Sequence, residues 1–306
     1  MRRLLSALLF LPLVVSFGAE SPKLRVLIVD GINNHDWAPT TVALKKILED
    51  SARFTVDVST TPPREAPPTA WETWRPDFSA YAVVLSNFNG GHNANGIKWP
   101  ADVEKSFEAY VRGGGGFVSF HAANNAFVSW TAYNEMIGLG WRDKSYGPSI
   151  IIDENEKRVI VPTGEGRGPG HPPRYTFQMS TLNTGHPITA GFPKHWMHPS
   201  EQLSHGQRGL DAVVRSGALT ILTYAFAEKI QERQPMDWVR DYGKGRVYVT
   251  MLGHTWKNEE PDNPNLRSVG FRTLFLRGVE WAATGKVTVP MPEDFPTAEK
   301  VSVRPE

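Results

Sequence analysis

The sequence predicts an α/β protein of flavodoxin-like type, a doubly wound, mostly parallel sheet with helices on both faces and an elaborated middle section. Three observations predict it. Short runs such as LRVLIVD, YAVVL, FVSF and GRVYVTML are apolar throughout, as strands buried on both faces are. Segments of helical periodicity lie between them, and that alternation builds parallel sheets. Three of the runs lead, directly or through a short turn, to a histidine: His35, His121 and His254. Open α/β sheets take their ligands at the carboxyl ends of strands, so the topology gathers these imidazoles at one edge.

Taken in order, residues 24–30 form the first strand and GINNHDWAP is a polar loop. A helix over residues 40–49 follows, with Val42, Leu44, Ile47 and Leu48 on one stripe. Residues 54–59 alternate as a strand, and the proline-rich stretch 60–76 reads as an ordered loop. Residues 81–85 are the third strand, ending in SNFNGGHNANG. Pro100 opens a helix running to residue 112, with Val103, Phe107, Tyr110 and Val111 inward. The run GGGG at residues 113–116 stops that helix, and FVSF delivers His121. A helix over residues 127–137 completes this half.

The middle is less regular. Residues 149–153 and 158–162 suggest a hairpin at the sheet edge, and GEGRGPGHPPR at 164–174 a flexible loop. Residues 176–180 form a strand before a section without helices that contains GHPITAGFP and HPSEQLSHG. Residues 218–225 and 246–252 are the last strands. Residues 266–283 are the closing helix, with Val269, Leu274, Leu276 and Val279 buried. One domain over residues 24–285 is expected, with residues 286–306 as a tail.

Residues 1–19 read as a signal peptide. Arg2 and Arg3 precede an apolar run at 4–15 that is too short to span a bilayer comfortably, and small residues follow. The mature chain is therefore expected in the periplasm or secreted. The sequence has no cysteine, which excludes a disulfide framework and a thiol nucleophile. Losing Arg2 and Arg3 takes 33 basic residues to 31 against 32 acidic ones, and no basic block occurs. Nucleic acid is thus not an expected partner, nor is a membrane once the leader is cleaved. There is no G-x-S-x-G elbow, and GGGG precedes its strand rather than following it, so no nucleotide is expected.

For any one histidine, a structural hydrogen bond is the ordinary role. The shared position at strand exits sets His35, His121 and His254 apart. With Glu201 as the carboxylate, they form a candidate set for a divalent metal, Zn²⁺ first, with a position left open for water or substrate. The same four residues also suit acid–base chemistry without metal, with His121, His254 and Glu201 as the catalytic groups. Asn34, Asn124 and Asn125 offer amides at the same mouth, and Asp36 and Trp37 adjoin His35, so these five are the candidate substrate-binding residues. Ten tryptophans, several in polar loops, suit stacking on sugar rings as well as ordinary packing.

The motifs LRVLIVDGINNHDW, GGGFVSFHAANNAF, GHPITAGFP followed by Glu201-Gln202-Leu203, GRVYVTMLGHTW and FRTLFLRGVEWAATG occur in this order. The set resembles the trehalose-utilisation (ThuA-like) family, which is similar in fold to class I glutamine amidotransferases. His121 falls close to where those enzymes carry a nucleophilic cysteine, so amidotransferase chemistry is not expected. The resemblance implies carbohydrate metabolism and a small sugar ligand, with His35, His121, Glu201 and His254 at the family's recurrent polar positions. The expected function is a metal-assisted lyase, hydrolase or isomerase acting on a glycoside or keto-sugar. The competing expectation is a non-catalytic carbohydrate-binding module on the same scaffold.

Overall fold

The computed structural model describes residues 22–257 and 264–305, so the leader expected in residues 1–19 lies outside the described residues. The chain runs β1 (Leu24–Asp30), α1 (Trp37–Asp50), β2 (Phe54–Thr60), α2 (Pro68–Thr73), β3 (Val83–Ser86), α3 (Ala101–Gly113), β4 (Gly116–Phe120) and α4 (Thr131–Ile137). It continues through β5 (Ser149–Ile152), β6 (Arg158–Val161), β7 (Tyr175–Thr181), β8 (His195–Glu201), α5 (Asp211–Arg215), β9 (Thr220–Ala227), β10 (Glu232–Tyr242), β11 (Gly245–Thr250), α6 (Pro264–Arg267) and α7 (Val269–Thr284).

The sheet has two halves that meet at β11. Strands β2-β1-β3-β4-β11 are all parallel, and their order is that of flavodoxin-like sheets. Beyond β11 the order continues β10-β9-β7-β8, entirely antiparallel. The β5–β6 hairpin hangs on β10 through Ile152 and Arg233. The parallel half is packed on both faces, as its continuous apolar strands require. From β4, Phe117 points toward Phe107 and Tyr133 of α3 and α4, while Phe120 meets Phe271 and Phe275 of α7 on the other side.

The glycine run has two jobs. Gly114, at φ 125°, caps α3, returning its N–H to Tyr110 and Val111. Gly116 lets α7 approach β4, because a Cβ there would lie 2.5 Å from the Ala282 carbonyl oxygen.

Several elements differ from expectation. Helix α1 starts at Trp37, and Val42 faces solvent at 67% exposure while Leu44, Ile47 and Leu48 are buried. The stretch 60–76 contains the short helix α2, and Trp74 beyond it is buried. The helix after His121 begins at Thr131 rather than residue 127, because Phe127 sits at φ 56° in a turn. The closing helix is split, with the Ser268 hydroxyl accepting the Phe271 N–H to start α7, and Leu276 is only half-buried. Residues 164–174 are tied down. Arg208 donates to the carbonyls of Glu165 and Arg167, and Gly170 pairs with His205.

Two strands were not anticipated, β8 (HWMHPSE) and β10 (ERQPMDWVRDY). Both carry polar and proline residues at buried positions, which breaks the apolar signature. Among the described residues no helix is long and apolar enough to cross a membrane.

Candidate metal centre

His35, His121 and His254 converge. One ring nitrogen from each lies within 4.8 Å of the others, and their ring centroids are 4.8 to 5.3 Å apart. Each arrives from a different parallel strand: His35 from the loop after β1, His121 directly after β4, and His254 from the turn after β11. His121 holds φ 42°, a left-handed conformation that non-glycine residues seldom adopt, and such strain persists where surrounding contacts over-determine it.

The protons of two of the rings can be placed. His121 Nδ1 lies 2.7 Å from the carbonyl oxygen of Met251, which only accepts, so Nδ1 carries the hydrogen. His35 Nδ1 is 3.2 Å from both Asn33 Oδ1 and Asn34 Oδ1. Those amides are oriented by other bonds, since Asn33 Nδ2 donates to the Asn87 carbonyl and Asn89 Nδ2 donates to Asn34 Oδ1. His35 Nδ1 is therefore a donor too.

The two Nε2 atoms then face each other at 3.3 Å with no hydrogen between them. Two lone pairs at that distance repel unless a cation lies between them. A tetrahedral ion with Zn–N bonds of about 2.0–2.1 Å holds its ligand nitrogens roughly 3.3–3.4 Å apart. Outer acceptors that fix ligand tautomers, here Met251 and the Asn33–Asn34 pair, are the usual support of such a site. His35 and His121 thus fit a divalent ion, and His254 stands close enough to join them, although its Nδ1 faces the Arg174 guanidinium at 3.3 Å.

Electrostatics keep the rings neutral. Burial, then the neighbouring charges of His121, His171 and Arg174, push His35 down to about 2. Burial likewise lowers His121, against the opposing pull of Glu201 and the Met251 carbonyl. His254 is also lowered, by burial first and then by His121 and His35. Neutral imidazole is the metal-binding form.

Glu201 does not join the three-histidine group. Its side chain is fully buried and accepts the N–H of Gly253 at 2.6 Å, that of His254 at 3.1 Å, that of Gln202 at 2.9 Å and Asn265 Nδ2 at 2.9 Å. Its expected place as a fourth ligand is thereby corrected, because its oxygens are spent on amides that aim the β11 exit. Burial alone would raise this carboxyl, but the His198 bond and charge, the His121 charge and the Gly253 amide hold it below the usual range. Gly253 serves the same turn at φ 104°, where a Cβ would meet the Phe120 ring at 2.1 Å.

The cluster opens into a cavity of about 140 Å³. Of the expected ligand-binding residues, Asn34, Asn124 and Asn125 line it. Asp36 and Trp37 do not. The Asp36 carbonyl instead accepts the N–H and hydroxyl of Thr40, and Trp37 opens α1. The sequence did not single out Trp141, Gln202, Ser204, Met251 and Trp256 as lining residues, and it left His92 and His171, which line it too, in the ordinary structural role of a single histidine. Trp256 stacks on His254 at 5.9 Å and 8°, and the motif GRVYVTMLGHTW already carried it. The motif Glu201-Gln202-Leu203 likewise carried Gln202, but no local pattern marked Trp141.

Beneath the wall, Arg142 is 1% exposed, and among the described residues no carboxylate pairs with it. Its guanidinium donates to the carbonyls of Asn125, Trp141 and Ala126 and to Asn134 Oδ1. It clamps the turn after His121 to the loop after α4 that carries Trp141.

Fold and site together define a flavodoxin-like α/β protein with a three-imidazole centre at the carboxyl edge of its parallel strands. A family model described as ThuA, trehalose utilisation, matches residues 25–282. The chain belongs to the ThuA family, as its ordered motifs implied. A solved ThuA-like protein from Parabacteroides merdae ATCC 43184 is 35% identical, with a TM-score of 0.83 over 92% of this chain and 98% of that one. Another, from Bacteroides uniformis ATCC 8492, is 17% identical with a TM-score of 0.53 over 88% and 95%, a likeness of fold. No curated protein matches the chain.

Proposed function

We propose that this protein is a divalent-metal-dependent enzyme of carbohydrate metabolism, a lyase, hydrolase or isomerase acting on a glycoside or keto-sugar. The observation that carries the metal is the 3.3 Å approach of two Nε2 atoms whose rings have given their hydrogens to other acceptors. Membership in a trehalose-utilisation family supports the sugar. The apolar leader read at residues 1–19 supports action outside the cytoplasm.

His35, His121 and His254 would hold the ion, and the cavity gives it an open side. Such an ion, Zn²⁺ first, polarises a carbonyl or hydroxyl and acidifies bound water. The chain's own contribution is orientation. Met251 and the Asn33–Asn34 pair fix two rings, Glu201 fixes the backbone of the third, and Trp141 and Trp256 narrow the mouth against water.

The test is elemental analysis of the purified protein after incubation with Zn²⁺ or Mn²⁺, beside His121→Ala and His254→Ala. About one ion per chain in the wild type and a loss in both variants is expected. No ion in the wild type overturns the reading.

A further inference from the structure

A second cavity lies apart from the imidazoles. It measures about 300 Å³ and shares no lining residue with the first. Helices α1 and α7 lie side by side there, and the C-terminal tail roofs the groove between them. The roof is fastened at both ends. The N–H groups of Thr288 and Val289 donate to Glu280, and Val303 bridges to Ser268 at the start of α7.

The lining divides into two parts. Ile47, Val269, Leu276 and Val289 make an apolar floor, while Arg53, Arg272 and Arg304 stand around it with one carboxylate, Asp50. Most of these charges are engaged within the protein. Arg53 holds Glu280 at 3.3 Å and the Thr288 carbonyl at 3.1 Å, Arg304 holds Asp294, and Lys46 holds Asp50 at 2.9 Å.

Arg272 is different. Its Nε donates to the Leu266 carbonyl at 3.1 Å, but among the described residues its two terminal nitrogens have no hydrogen-bond or ion-pair partner. They are not sealed from solvent either, so a ligand can reach them. Burial lowers the Arg272 pKa, with Asp50 opposing and Arg304 and Arg267 adding like charge. A half-buried cation crowded by others gains from an incoming anion. The groove's hydroxyls, by contrast, donate inside the protein. Thr273 gives its hydrogen to the Val269 carbonyl at 2.7 Å, and Ser51 to the Leu48 carbonyl at 2.5 Å. A guanidinium fork and an apolar floor are what the groove offers a ligand.

We propose that this groove binds a small organic oxyanion, a carboxylate or phosphate on a compact apolar body, with its head on the Arg272 fork and its body on the floor. The planar fork suits both head groups, because each presents two oxygens to it. Arg304 adds attraction from the tail, so the ligand ties α1, α7 and the tail together. The site depends on neither the metal nor the sugar of the proposed function.

Calorimetric titration of the full chain tests it. The probes are benzoate and phenyl phosphate as oxyanions, benzamide as the neutral counterpart, and inorganic phosphate as a head without a body. The better oxyanion is expected to bind at about 1 millimolar or tighter, roughly tenfold or more above benzamide and above inorganic phosphate. Which of the two is better names the head group, carboxylate or phosphate. Arg272→Gln removes the fork and should weaken that oxyanion roughly tenfold or more, with the circular dichroism unchanged. Arg304→Gln, at an exposed position, should weaken it roughly threefold and gives a reading even where Arg272→Gln does not fold. His121→Ala is expected to bind it as the wild type does, which separates the groove from an ion held by the imidazoles.

The proposal is overturned if benzamide or inorganic phosphate matches the better oxyanion, or if neither oxyanion binds at about 10 millimolar. It is equally overturned if folded Arg272→Gln, or Arg304→Gln in its place, binds unchanged. Binding abolished by His121→Ala puts the oxyanion at the imidazoles and overturns it too.

Discussion

Glu201 accepts the backbone N–H of His254 at 3.1 Å, although Glu201 ends β8 and His254 follows β11, four places away in the sheet. The last antiparallel strand thus steadies the exit of the last parallel one. Glu201→Gln replaces one acceptor oxygen by an NH₂ that faces amide hydrogens. It is expected to cost about 3 kcal/mol in chemical denaturation, the usual penalty for breaking a buried charged cluster. The same variant should bind metal at least tenfold more weakly, because His254 is no longer aimed. A variant with full stability and metal content would show that Glu201 aims nothing.

Gly253 makes the companion prediction. Gly253→Ala places a methyl 2.1 Å from the Phe120 ring at a backbone angle that alanine tolerates poorly. A stability loss of about 2–3 kcal/mol by denaturant titration is expected, together with weaker metal binding. A stability change within about 0.5 kcal/mol would contradict that placement.

Arg142 predicts a defect in the wall. Methionine keeps much of the volume but leaves the Asn125, Ala126 and Trp141 carbonyls without their donor. Arg142→Met is expected to lose about 2–4 kcal/mol of stability by the same measurement. Arg142→Lys, with one ammonium in place of the fork, should recover only part of it. Full recovery by lysine would mean that charge, and not the planar fork, is what the turn needs.

Asp237 predicts a pH dependence. It is wholly buried in β10, where it accepts the Thr223 hydroxyl at 2.5 Å and the Tyr248 hydroxyl at 2.8 Å, with His198 as the nearby ionisable base. Burial raises its pKa above 3.8, against the lowering effect of its hydroxyl partners and His198. A raised acid binds its proton more tightly folded than unfolded. Its stabilising contribution is therefore complete below 3.8 and is lost as pH rises through the folded value. Asp237→Asn mimics the protonated form, so its stability relative to wild type should improve between pH 4 and 7. A constant difference across that range would show that the carboxyl is ionised in the fold.

The parallel half was legible because its strands are apolar on both faces, a pattern that alternates with helices and ends in histidines. Of the antiparallel half, β7, β9 and the β5–β6 hairpin were legible, but β8 and β10 were not, because they hide their polarity in internal bonds. Asp237 interrupts β10 yet is satisfied by Thr223 and Tyr248, and Pro235 sits beside a register shift. His198 and Glu201 make β8 read as a loop although both are buried.

The three imidazoles were legible for the same reason as their strands. The role of Glu201 was not, because its partners are backbone amides some 53 positions away, and amides carry no sequence signal. Asp36 and Trp37 looked like ligand contacts through adjacency to His35. Helix α1 starts there, however, and carries them away from the mouth.

Thr40 and Thr255 share a hydrogen bond across 215 positions, beside a cluster drawn from the first and last parallel strands. A chain made from its amino end completes β1 early, but it cannot close the imidazole triangle until β11 has paired with β4. On the proposed metal reading, ion capture would therefore be a late event in synthesis. A nascent chain that stalls before residue 250 carries two of the three histidines and no closed triangle.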